Sequence, residues 1–256
     1  MESRYVVSSD GANPYSPANH SGTTNQRVIS RETVGAKYLE VLIGTIEKGH
    51  GALRHMHPNL EQASYLLQGE GLGELNGGEQ ITRPGHWMFT PEGTPHRFGV
   101  TSDTPVKVLV VYAPPYAENP MAAVNCENAP ATAGKRMPSG GEVAAVASTA
   151  FVPEHHSGVR FAWALDVPQG SPRHMAIYEA RLEPGGKKTS HALNGMEQVI
   201  FVQKGAVTGH INGHYFEATE GDWIFFPDGA THEYSAKPDQ EAAAFVIHAF
   251  SPNHKV

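Results

Sequence analysis

The chain has 256 residues, 19 basic and 26 acidic, with a formal net charge of −7. That length fits one large or two small domains, and the acidic balance excludes the basic face that nucleic acid or an anionic membrane would need. The single cysteine, Cys126, rules out an intrachain disulfide and a cysteine-based zinc cluster.

Residues 1–19 read as a loosely held arm. Met1-Glu-Ser-Arg-Tyr5 has neither the basic nor the apolar region of a signal peptide, and no apolar run reaches the roughly 20 residues of a membrane span. A cytoplasmic setting without membrane contact is therefore expected. From residue 20 onward the signals are those of short strands: Tyr38–Ile46, Ala63–Leu67, Trp87–Thr90 and Val106–Tyr112 are rich in β-branched or aromatic residues and are separated by Gly, Pro and Asn turns. Asn76-Gly77 reads as a two-residue hairpin turn. Residues 114–155 are Pro-, Ala- and Gly-rich, a linker with a short helix expected near Gly141–Ala147.

The strand pattern then starts again. His20-Ser-Gly22 recurs as His156-Ser-Gly158, and Gly49, His55, Gln62, Gly69, Gly85, Pro91, Gly93 and His96 recur as Gly185, His191, Gln198, Gly205, Gly221, Pro227, Gly229 and His232. Every pair is 136 residues apart, so the chain is an internal duplication without insertion over that stretch. The domains expected are an arm (1–19), a first barrel (20–113), a linker (114–155) and a second barrel (156–256). No stretch carries a sustained helical period, and the expected fold is all-β, two tandem jelly-roll barrels.

The chemistry concentrates in the first unit. His55-x-His57 on a strand places both imidazoles on one face, because side chains alternate with period two. A third group enters from the next strand and a fourth, His96, from beyond the Pro91-x-Gly93 turn. Three imidazoles and one oxygen donor suit a divalent first-row metal.

These strings resemble the two motifs of the cupin superfamily, Gly-x5-His-x-His-x3–4-Glu-x6-Gly and Gly-x5-Pro-x-Gly-x2-His-x3-Asn, once in each unit. The resemblance implies a bicupin with one metal near the axis of a working barrel, and it is poor for reaction type. The ligands it implies are His55, His57, Gln62 and His96 around Mn, Fe, Ni, Co or Zn. Gln62 stands where the motif has Glu, with Glu61 one residue earlier. Counting back from Gly69 favours Gln62, and alternation turns Glu61 outward. Glu61 could act as a general base only with the opposite strand phase. The final Asn is Val100 in one unit and Ala236 in the other.

In the second unit His191, Gln198 and His232 remain, but Leu193 replaces the partner of His57. A weak or empty second site is expected there. His20 and His156 read as surface residues of Gly turns, and alternation points Arg97 away from the metal; an anion-binding role for Arg97 or Arg83 is left open. Ser64, Leu66 and Met88 point inward.

A neutral amide in place of a carboxylate leaves the ion its full charge, which strengthens Lewis acidity and disfavours oxygen activation. The expected function is metal-dependent, non-redox chemistry of lyase, isomerase or hydrolase type on a small oxygen-rich carboxylic acid or carbonyl compound. The alternatives are an Fe(II) dioxygenase and a non-catalytic sugar- or metabolite-binding bicupin. The expected partners are a small-molecule substrate and a second copy in a homodimer, with no nucleic acid.

Overall fold

The computed structural model describes residues 4–9, 14–116, 122–128, 150–165 and 173–252; the helix expected near Gly141–Ala147 lies outside them. Nearly all described structure is strand. The main strands of the first unit are His20–Ile29, Glu40–Met56, Glu61–Gln68, Gly71–Leu75, Gly78–Thr82, Trp87–Thr90, His96–Val100 and Val106–Ala113. Those of the second are His156–Trp163, Met175–Ala192, Met196–Lys204, Ala206–Ile211, His214–Thr219, Asp222–Phe226, Thr231–Ala236 and Ala242–Phe250. The duplication read from the sequence is thus a duplication of structure. Among the described residues no helix is long and apolar enough to cross a membrane.

Each unit curls its sheet on one long strand. The first half of Glu40–Met56 pairs with Val106–Ala113, and its second half pairs with His96–Val100. The change of partner falls around Gly49, whose φ of 75° is open to glycine and strained for other residues. Met175–Ala192 does the same, with Gly185 at φ 69°. The hairpin turns sit where the sequence puts them: Asn76 and Gly77, like Asn212 and Gly213, all have positive φ, as a type I′ turn requires.

The two sheets pack against each other through outward-facing side chains. Trp87 and Tyr65 of the first unit lie 5.0 and 4.7 Å, ring to ring, from Phe245 of the second. One large buried cluster therefore spans both units, while Leu42, Ile46, Leu66, Met88, Val108 and Val110 form a separate cluster inside the first barrel.

The reading of residues 1–19 as a loose arm is corrected for the part described. Val6–Ser8 is a strand of the second barrel's sheet, antiparallel to Asp222–Ile224, with Tyr5 buried beside it. Two β-branched valines cover what would otherwise be an exposed sheet edge. The linker also has structure where it is described: Val124–Asn125 pairs with His55 and Met56.

Candidate metal centre

His55 and His96 are direct cross-strand partners, and His57 stands just beyond the end of its strand. The three rings meet in one buried cluster, with centroids 4.3–5.1 Å apart. A ligand nitrogen from each lies within 4.8 Å of the others.

Backbone carbonyls fix how the rings are turned. Nδ1 of His55 faces Leu53 O at 2.7 Å, Nδ1 of His57 faces Ala122 O at 3.1 Å and Nδ1 of His96 faces Thr94 O at 3.0 Å. A carbonyl only accepts, so each Nδ1 carries the hydrogen and each Nε2 keeps a lone pair. Burial, strengthened by mutual repulsion, pushes His55 down to about 4 and His96 well below its ordinary value; burial lowers His57 as well. The rings are neutral at pH 7, the state in which imidazole binds metal.

Gln62 completes the group. Its Oε1 lies 3.2 Å from Nε2 of His57, and its amide Nε2 donates to Ser64 Oγ at 3.0 Å. In this arrangement two lone pairs face each other, and a shared cation resolves that conflict. Nε2 of His96 is buried with no hydrogen-bond partner, the costly condition that a metal bond removes. By donor type, convergence and this orphaned nitrogen, the four residues fit a divalent metal ion.

Beside them lies a cavity of about 80 Å³. Its walls include Thr23, Asn25, Ser64, Thr90 and Tyr112, together with Leu66 and Met88. Ser64, Leu66 and Met88 therefore line it as expected. Burial holds the Tyr112 hydroxyl well above its ordinary value, so it remains a neutral donor. Arg97 borders the cavity but is tied to Glu74 at 3.0 Å and Glu79 at 2.9 Å. His20 corrects its surface assignment: it lines the cavity, with its ring 5.5 Å from that of His55. The turn that carries it is pinned to the long strand, where His20 pairs with Ala52 and the Leu53 N–H donates to Asn19 O at 2.8 Å.

Glu61 is not a base for this site. Its carboxylate is buried, turned out of the barrel, and accepts the backbone N–H of Arg173 at 2.7 Å and of His174 at 2.9 Å. Glu197, 136 residues on, does the same for Lys37 and Tyr38 of the first unit, at 2.8–3.0 Å. The outward phase expected for Glu61 puts it in a reciprocal clasp between barrels. Glu61→Ala should lower unfolding stability by about 3 kcal/mol, since the buried carboxylate takes two charge-assisted bonds with it. Metal content should stay unchanged; a melting curve and metal analysis check both.

The second barrel holds something the sequence reading missed. Lys188 is buried, and its Nζ lies 2.6 Å from Nε2 of His232 and 3.2 Å from Oε1 of Gln198. It stands between two of the three residues expected to form a weak second site. His191, the third, is half-exposed, its ring 5.4 Å from that of His232. Burial pushes Lys188 down to about 7. Charged or neutral, the amine has hydrogens for both acceptors. Counting by twos from His191 turns Lys188 outward, but the strand has a register irregularity between the two residues. The signal that could have found it is the repeat, which sets Lys188 opposite Ala52, a residue of the first cavity wall.

Fold and site together define a two-barrel, jelly-roll protein with, among the described residues, one three-histidine centre. The profile described as "Cupin domain" matches residues 42–112 and 178–248, more than half of the chain. The chain belongs to the cupin family. It is 32% identical over 69 residues to the uncharacterized protein MJ1618 of Methanocaldococcus jannaschii, covering 27% of this chain and 55% of that protein, so it spans about half of that relative's length. Among solved structures it resembles Ylba of E. coli, described with the family DUF861, with a TM-score of 0.70, 11% identity, and 100% and 95% of the two chains covered. It also resembles oxalate decarboxylase of Bacillus subtilis, in a structure described for its Mn(II) centres, with a TM-score of 0.65, 14% identity, and coverage of 100% and 79%. These likenesses establish the fold.

Proposed function

We propose that the first barrel binds one divalent metal ion through His55, His57, Gln62 and His96, and that the chain is an enzyme of non-redox, Lewis-acid type acting on a small oxygen-rich carboxylic acid or carbonyl compound. The observation that carries the reading is the convergence of neutral donors on one buried point, with Nε2 of His96 unpartnered. The Mn(II) centres of the Bacillus subtilis oxalate decarboxylase, a protein of the same fold, support the metal.

When bound, the ion supplies Lewis-acid polarisation of a substrate oxygen. The chain's own residues do the rest. Four neutral donors leave the site with the ion's full charge, which favours an anionic ligand. Thr23, Asn25, Ser64, Thr90 and Tyr112 offer neutral hydrogen-bonding groups to orient the remaining oxygens. The small cavity and the apolar wall of Leu66, Met88, Val108 and Val110 limit substrate size and exclude bulk water.

Two measurements test this. Metal analysis of the purified protein should find about one first-row ion per chain. A screen of small hydroxy-, keto- and ureido-acids should find turnover that EDTA abolishes and that persists without oxygen. Stoichiometric oxygen consumption with added iron would instead establish the dioxygenase, and tight ligand binding that ignores chelator would establish a binding protein.

The amide is the distinguishing ligand, so Gln62→Glu is informative. A carboxylate there adds Coulomb attraction of a few kcal/mol, partly offset by its own desolvation, and should tighten metal binding roughly 10- to 100-fold. Competition with a chelator measures it; an unchanged affinity would show that residue 62 does not touch the ion.

A further inference from the structure

We propose that the Lys188 amine is the built-in occupant of the second barrel's cation position, and that it keeps this barrel free of metal. The proposal rests on the metal reading of the first barrel only for the name of what is displaced.

The argument starts from equivalent positions. Gln198 and His232 correspond to Gln62 and His96, and their Oε1 and Nε2 atoms converge just as a metal would need. Nδ1 of His232 faces Ala230 O at 2.8 Å, so its Nε2 presents a lone pair inward, as in the first barrel. The atom that meets both acceptors is Nζ of Lys188. Its counterpart Ala52 is too short to reach the centre of the first barrel. The lysine also lies against the ring of Tyr234, at 5.5 Å from its centroid, a favourable setting for an ammonium group.

The surroundings have changed in the same sense. Thr23, Asn25, Ser64 and Thr90, four of the five polar wall residues named for the first cavity, correspond to Val159, Phe161, Ile200 and Phe226; the fifth, Tyr112, corresponds to His248. The four apolar replacements are buried, and the Phe226 ring packs 4.6 Å from that of His232. Leu193 removes one donor outright. Apolar side chains thus stand at four of these positions, yet the barrel retains a buried glutamine and histidine whose acceptors need a partner. An internal amine satisfies them without an ion from solution.

The test compares the unaltered chain with Leu193→His, Lys188→Ala and the double substitution. Each is saturated with Zn²⁺ near pH 7, desalted and analysed for metal. Leu193→His restores the missing donor, but with the lysine in place it should gain no ion over the unaltered chain. The double variant, with donor restored and occupant removed, should hold about one ion more than Leu193→His. The proposal is overturned if Leu193→His alone gains the ion. It is equally overturned if the double variant keeps a cooperative melting transition and gains none. Should the double variant fail to fold, the unaltered chain decides: histidine ring NMR during Zn²⁺ titration should leave the His232 signals unmoved, and saturable movement would refute the proposal. If the unaltered chain binds no ion at all, the first-barrel reading fails, while the difference between the two Leu193→His chains still decides this one.

Discussion

His57→Ala is expected to empty the first barrel of metal and to abolish turnover with it. The side chain is 2% exposed, and its Nδ1–H donates to the Ala122 carbonyl, which aims Nε2 at the centre beside Gln62. His55 and His96 already use their own positions, and His20, its ring 5.5 Å from that of His55, is outside the group of three whose ligand atoms converge. Changing the groups that merely support a metal ligand costs 10- to 100-fold in affinity, so loss of a ligand should cost more than about 100-fold. The fold should survive, with a penalty of about 1–3 kcal/mol for the acceptor left without its donor. The control is His191→Ala in the second barrel, which should leave metal content and turnover nearly unchanged. Metal analysis beside a steady-state assay reads both, and the assignment of the working barrel is falsified if His191→Ala is the change that stops turnover.

The second large effect is acid sensitivity of the metal-free chain. Burial holds His55 and His156 at about 4, and His232 and His248 at about 3. Their ordinary value is 6.5, which is that of the unfolded chain. Between 6.5 and 4 the unfolded chain therefore binds protons that the folded chain refuses. Stability rises with pH wherever the unfolded state binds more protons, so it should fall as the solution is acidified through this window. His55 alone, nearly fully buried, contributes about 3 kcal/mol to the loss by pH 4. With several such residues the loss is comparable to the whole stability of an ordinary domain. Urea midpoints at pH 7.5, 6 and 5 should fall in that order. A midpoint that stays level would mean that these rings do not remain neutral in the folded protein.

What the sequence could and could not disclose follows from the range of each interaction. The repeat, the Asn-Gly hairpins and the His55, His57 and His96 cluster rest on local spacing and strand alternation, and they were legible. Alternation also turned Glu61 outward correctly, but it could not name the backbone of Arg173 and His174 as what Glu61 meets 112 residues away. The arm was obscure for the same reason, since Val6 finds Ile224 across the length of the chain. Lys188 was hidden by a different cause. One irregularity between it and His191 shifts the strand phase, and period-two counting then gives the wrong face. His20 was hidden by its turn, because a glycine turn shows that the chain reverses but not which strand its side chains meet, here that of Ala52.

The reciprocal carboxylate clasp reaches back to the origin of the chain. Residue 61 holds residues 173 and 174, and residue 197 holds 37 and 38, so the contact obeys a local twofold rotation. Such isologous pairing is how two identical subunits meet. The patch has the self-complementary form with which a half-length copy would meet its twin. Both copies lie in one chain here, so the encounter is intramolecular and dilution does not separate the pair. Once tethered, one half could fill its interior with apolar side chains while its twin kept the three-histidine cluster.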